Sequence, residues 1–256
     1  MLQVLNTVLA ATPDGDPPAE QPLALHLMIH ATEMGSPVPT PQSQGALAGL
    51  AAANRLAHAL PHTTGHLVHM PGHTYLRVGQ WAAATRVNVA ANLIDAQYKQ
   101  RGLAAYGALH NTAMLVSGAV MSGQSKLALK WGLQHDDVPT YQVLSNTFKP
   151  PPLYLIQTRF GMFDEVLNGT SLQTPSSLWS AFSNVTFHYA RGVALVARNH
   201  VEEAHEEYYR LAENAARVPE EDLVTQIPGA SSDKGPVFSK VGMPHNVSHT
   251  APRCRV

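Results

Sequence analysis

Cysteine is all but missing: among 256 residues there is one, Cys254, within the last three positions. A disulfide framework is therefore excluded by arithmetic. Charge of either sign is also scarce, with 17 Lys plus Arg against 18 Asp plus Glu and a net charge of −1. That balance gives nucleic acid or an acidic membrane surface no electrostatic reason to bind, so neither is expected as a partner. No run approaches the roughly 18 apolar residues that a membrane span needs. The apolar start, Met1–Ala11, has no basic segment ahead of it, as a secretory signal would. The expectation is a cytoplasmic chain, in which the N-x-[ST] sequons at Asn168, Asn184 and Asn246 are chance matches. Nucleophile elbow, glycine-rich phosphate loop and HExxH helix are likewise missing.

What the chain does have is 45% hydrophobic residues, enough to bury a sizeable core, and fourteen histidines. Histidine ligates metals and shuttles protons near neutral pH, so its placement carries the functional question. His66, His69 and His73 fall at i, i+3 and i+7 in the stretch His-Leu-Val-His-Met-Pro-Gly-His-Thr-Tyr-Leu-Arg-Val-Gly-Gln-Trp, residues 66–81. On a helix that spacing puts all three on one face within two turns. His26, His30 and Glu33 repeat the device at i, i+4 and i+7 in Leu-Ala-Leu-His-Leu-Met-Ile-His-Ala-Thr-Glu.

Breakers divide the chain into helices. Residues 1–11 read as a helix ended by Thr-Pro-Asp-Gly-Asp-Pro-Pro, and a second starts at Pro22 and stops at Gly35-Ser-Pro-Val-Pro. Residues 45–60 are alanine-rich with helical apolar spacing, followed by a helix over 66–78 and another over 81–97. Helices resume at Leu153, over 177–198 and over 200–217. The prolines of Val138–Pro152 and the polar joint from Asn168 impose loops. Gly79, Gly123, Gly161 and Asn199 each stand between an apolar and an amphipathic helix, at steps of 123 − 79 = 44, 161 − 123 = 38 and 199 − 161 = 38. Spacing a little above the roughly 34 residues of a tetratricopeptide repeat predicts stacked helix pairs with somewhat long connections. The fold class expected is all-α: a right-handed α-solenoid of about five antiparallel helix pairs over 1–225, followed by a flexible Pro/Gly/Ser-rich tail over 226–256.

With those residues in view, the chain resembles tetratricopeptide-repeat (TPR-like) proteins. More narrowly, it resembles a subgroup with an Ile-His-Ala-x-Glu helix, here residues 29–33, followed by a His-x-x-His-Met-Pro-x-His helix, here residues 66–73. Phe160–Leu167 and His188-Tyr-Ala-Arg-Gly also look like segments of that subgroup, and the resemblance covers roughly 1–217. Members are longer at both ends, which implies a truncated or fragmentary member.

In such a solenoid the first helix of each pair lines the concave face. That frame turns His66, His69 and His73 into the groove, with His26, His30 and Glu33 facing the same space and His110 entering from the next first helix. These seven are the candidate metal ligands, suited by their imidazoles and carboxylate to Zn, Fe or Cu. If the site is catalytic, open coordination positions would activate water or dioxygen on a small substrate, with Glu33 as a ligand or the general base. Arg77, His188 and Arg191 are candidate groove contacts, Arg77 having Asp95 as an alternative partner. The bland readings are helix capping without an ion for the clusters, and core packing for Met70, Tyr75 and Trp81. His58, His62, His135, His200 and His205 read as isolated surface or core histidines. A different class of function is a non-catalytic scaffold that binds a peptide or protein in the groove. The scarcity of lysine there speaks against it.

Overall fold

Helix α1 occupies Leu2–Ala10, and α2 occupies Pro22–Glu33 with its proline in the first turn, where a missing N–H costs nothing. A 3₁₀ turn, Gly45–Gly49, runs into α3, Leu50–Ala59. Then come α4 (Gly65–His69), α5 (Pro71–Arg77), α6 (Trp81–Gln100), α7 (Ala108–Met121) and α8 (Ser125–Leu133). The series continues with α9 (Leu153–Arg159), α10 (Phe163–Asn168), α11 (Leu178–Ala197) and α12 (Val201–Ala216). This computed structural model describes residues 2–11, 21–40, 44–59, 64–105, 108–133, 153–169 and 178–217, among which the regular elements are helices and there is no β-strand. The expected loop at 138–152, most of the joint after Asn168 and the expected tail lie outside the described residues.

The helix expected over 66–78 is two helices. Pro71 has no N–H to give to the carbonyl of Leu67, and its ring crowds that carbonyl, so the ladder breaks there. The His73 N–H reaches Met70 O at 3.1 Å instead. Met70 itself keeps helical angles, φ −50° and ψ −42°. The break therefore costs a hydrogen bond and leaves the side-chain faces of α4 and α5 in line. The helix expected over 45–60 likewise starts as a tighter turn, in which Gly49 lies so close to α2 and α5 that a Cβ would strike the hydroxyls of Thr32 and Thr74.

Leu25, Met28 and Ile29 of α2 pack with Leu56 of α3, Tyr75 of α5 and Met70 into one core cluster. Leu115, Val116 and Ala119 of α7 form another with Ala128 and Ile156. Helices α4 and α5 both lie against α6, which in turn packs on α7.

One backbone ending recurs among the described residues, at Gly102, where Leu103 donates to Tyr98 O at 2.9 Å, and at four joints between successive helices. Gly79, Gly123, Gly161 and Asn199 have φ of 80, 76, 72 and 62°, the left-handed region in which glycine is unstrained and asparagine is tolerated. The next residue then donates back to the carbonyl five positions earlier: Gln80 to Tyr75, Gln124 to Ala119, Met162 to Gln157 and His200 to Leu195, at 2.8, 2.8, 2.9 and 2.9 Å. These are Schellman endings, which satisfy carbonyls that a helix terminus leaves bare. Gln80, Gln124, Met162 and His200 also accept from the N–H groups of Ala84, Ala128, Val166 and Ala204, so one residue closes a helix and opens the next. The four donors, Ala84, Ala128, Val166 and Ala204, are buried.

Candidate metal centre

Helix α2 divides its faces cleanly. Ala24, Leu25, Met28, Ile29 and Thr32 are buried, and His26, His30 and Glu33 occupy another face. Because Met70 stays helical across the break, His66 and His69 of α4 and His73 of α5 line one side; Met70 points the other way, into the core. The seventh residue, His110, sits in the first turn of α7. It stands 123 − 110 = 13 residues before Gly123, as His66 stands 79 − 66 = 13 before Gly79.

A buried polar network fixes that first turn. Asn111 donates to Asp95 Oδ2 and Thr112 to Asn92 Oδ1, both at 2.8 Å, and Asn92 donates to the carbonyl of Asn88 at 2.8 Å. Asn92, Asn111 and Thr112 belong to none of the motifs legible in the sequence. Their signal was Asn88, Asn92 and Asp95 recurring at steps of 4 and 3 along an otherwise apolar face of α6. Burial pushes the Asp95 carboxyl up, opposed by the hydrogen bond from Asn111. Gly65 lies directly against Asp95, where a Cβ would collide with the carboxylate.

These elements bring six imidazoles into a closed ring. The centroid separations run 4.7 Å from His26 to His30, 5.6 Å from His30 to His73, and 5.2 Å from His73 to His110. They continue at 4.9 Å from His110 to His69, 5.1 Å from His69 to His66 and 5.1 Å from His66 back to His26, with His69 and His73 also 5.0 Å apart. Within the ring two triads could each hold a metal ion. His26, His30 and His66 offer one nitrogen each, as do His69, His73 and His110, and the nitrogens of each set lie within 4.8 Å of one another.

The nitrogen spacing suits coordination. Nε2 of His26 and Nε2 of His66 are 3.3 Å apart, and so are Nε2 of His73 and Nε2 of His110. Two nitrogens on a tetrahedral ion with bonds of about 2.0–2.1 Å stand roughly 3.3–3.4 Å apart. His69 is 1% exposed and its Nδ1 has no hydrogen-bond partner, an arrangement that costs about 1–3 kcal/mol in a site with nothing to satisfy it.

Glu33 joins the triads. Its Oε1 lies 2.9 Å from Nδ1 of His30, and its Oε2 lies 2.7 Å from Nδ1 of His73, the second contact off the line of the N–H. Burial opposes the charge on Glu33, but the contacts from His73 and His30 hold its carboxyl down at about 2. Burial and then the neighbouring imidazoles depress His66 and His110 to about 4, and carry His69 well below its ordinary value. His26 is lowered by the same causes. At neutral pH these four rings are uncharged, and their lone pairs need no deprotonation before they bind an ion.

The remaining candidates lie elsewhere. Arg77 donates to the carbonyl of Gly35 at 2.8 Å, and Asp95 takes Asn111 as its partner. His188 and Arg191 form a separate network across α11 and α12, with Nδ1 of His188 2.6 Å from Glu207 Oε2 and Nε of Arg191 3.1 Å from Oε1. Arg191 also donates to the carbonyl of Leu167 at 3.0 Å. Tyr75 is buried and donates to Asn54 Oδ1 at 2.9 Å. His58 bonds to the carbonyl of Asn54 in its own helix, His200 contacts Glu203, and His205 is exposed; His62 and His135 lie outside the described residues. No family model, curated protein or solved structure matches the chain.

Proposed function

We propose that this chain is a TPR-like helical-repeat protein that binds transition-metal ions through a histidine cluster in the concave groove of a right-handed solenoid, and that the bound metal acts on a small substrate. The single observation that carries this reading is the closed ring of six histidines, drawn from four helices, in which the nitrogens of each triad lie within 4.8 Å of one another. The four matching joints at Gly79, Gly123, Gly161 and Asn199 support the helical-repeat part.

Imidazole-rich donor sets favour zinc, copper and iron over calcium or magnesium, which prefer oxygen. Three histidines per ion leave a coordination position open, as catalytic zinc sites do. Neutral imidazoles cancel none of a divalent ion's charge, and among the described residues Glu33 is the carboxylate in contact with the ring. An open position there would favour hydroxide or a small anionic substrate. A bound metal would supply Lewis-acid polarisation and a water acidic enough to attack at neutral pH.

The test is elemental analysis of protein purified without chelator, beside a His69→Ala variant. About one equivalent or more of zinc, copper or iron is expected, reduced by the substitution. Less than about 0.1 equivalent of any transition metal, unchanged in the variant, would exclude the reading.

A further inference from the structure

Six donors around one ion and three donors around each of two ions are different proteins chemically, and the ring's size separates them. A ring bound through nitrogen at about 2.0–2.1 Å has its centroid roughly 3 Å from the ion. The centroids of His69, His73 and His110 are 5.0, 4.9 and 5.2 Å apart. A triangle of that size has its centre about 3 Å from each corner, the distance a shared ion requires. Six centroids strung out at 4.7–5.6 Å in a closed loop are too widely spread for all to meet one ion at that distance. The two short nitrogen contacts also stay within triads: His26 with His66, and His73 with His110.

Glu33 then acquires a particular place. It contacts one histidine of each triad, His30 and His73, and in both it meets Nδ1. At His30 the hydrogen bond favours the tautomer with its proton on Nδ1 and leaves Nε2 bare as the ligand atom, the usual outer support of a metal-bound histidine, while at His73 the carboxylate is a charge contact 2.7 Å from Nδ1. The Nε2 of His73 is the atom that faces His110. The buried Nδ1 of His69, without a hydrogen-bond partner, belongs to the same triad.

We propose that the cluster holds two metal ions, one in His26–His30–His66 and one in His69–His73–His110, and that Glu33 is a positioning residue shared by both. The proposal rests on the metal-binding reading and specifies it. Its consequence is asymmetric: loss of a histidine removes one ion, whereas loss of the Glu33 carboxylate weakens both.

The experiment is a titration of the chelator-stripped full chain with Zn(II), followed by native mass spectrometry for stoichiometry and calorimetry for affinity. Two equivalents are expected for the wild type and one for His66→Ala and for His110→Ala. Glu33→Gln should keep two sites, each weakened about 10–100-fold, with its helical circular dichroism unchanged. Loading with Co(II) gives a second readout, since the visible bands of tetrahedral cobalt should be altered in both sites by Glu33→Gln and restored towards wild type by Glu33→Asp. One equivalent in the wild type would overturn the two-ion proposal and leave metal binding standing. No binding would overturn both. Two sites of which Glu33→Gln weakens only one, or neither, would overturn the shared role.

Discussion

Glu33 Oε2 stands 2.7 Å from Nδ1 of His73, a residue 73 − 33 = 40 positions further along the chain and on a different helix. The contact ties α2 to α5 beside the histidine ring, while the packing of Leu25 and Ile29 with Tyr75 ties them on the core side. Metal chemistry and fold stability are therefore linked through the same pair of helices.

Metal should stabilise the folded chain. A ligand at 100 times its Kd adds about 2.7 kcal/mol, and a domain of this size shifts by roughly 2–4 °C per kcal/mol. Saturating Zn(II) should thus raise Tm by about 5–10 °C for a single site, reversibly with EDTA. A differential scanning fluorimetry series should find the rise diminished in His69→Ala. An equal rise in that variant would place the ion elsewhere.

The metal-free protein should lose stability as pH falls from about 6.5. His66 and His110 are depressed from 6.5 to about 4 by burial and then by neighbouring charge. Between those values the unfolded chain takes up protons that the folded chain refuses, so unfolding is favoured as pH drops. Glu33, held at about 2 instead of 4.5, adds a loss in the same direction below pH 4.5. Urea midpoints should be flat above pH 7 and fall between pH 6.5 and 4. The fall should be shallower in a His66→Ala/His110→Ala double variant.

Gly65→Ala should loosen the site without touching a ligand. The new Cβ would meet the Asp95 carboxylate and the Ala91 carbonyl, pushing α4 off α6 and carrying His66 and His69 with it. A cost of about 1–3 kcal/mol is expected for such overpacking. Chemical denaturation should register it, and zinc calorimetry should find weaker binding. Unchanged affinity would mean that α4 is not held in place by this contact.

Glu207→Ala should do the reverse. Its carboxylate pairs with His188 and Arg191 and is 6% exposed in its side chain, so removing it leaves charge unpaired at a cost of about 3 kcal/mol. None of the six ring histidines takes part in this network. The denaturation midpoint should fall while the number of zinc ions per chain stays at the wild-type value.

The sequence alone determined what depends on neighbours along the chain. Periodicity and breakers gave the helices, with α2 beginning at Pro22 as expected. The left-handed residues were legible because glycine and asparagine are the types that bear positive φ cheaply. The helical spacing of His66, His69 and His73 predicted one face, although Pro71 splits their helix in a way the periodic pattern does not register. Which imidazoles share a centre was decided only by the tertiary structure. Local spacing grouped the residues by helix, as His26–His30–Glu33 and His66–His69–His73. Packing instead groups them across helices, as His26–His30–His66 and His69–His73–His110, with Glu33 between the two sets. The physical reason is that a helix fixes the angle between its own side chains and nothing about which face comes to lie opposite. That is set by the approach of α4 to α6, of α2 to α5, and by the buried Asp95–Asn111 bond that brings His110 into the ring.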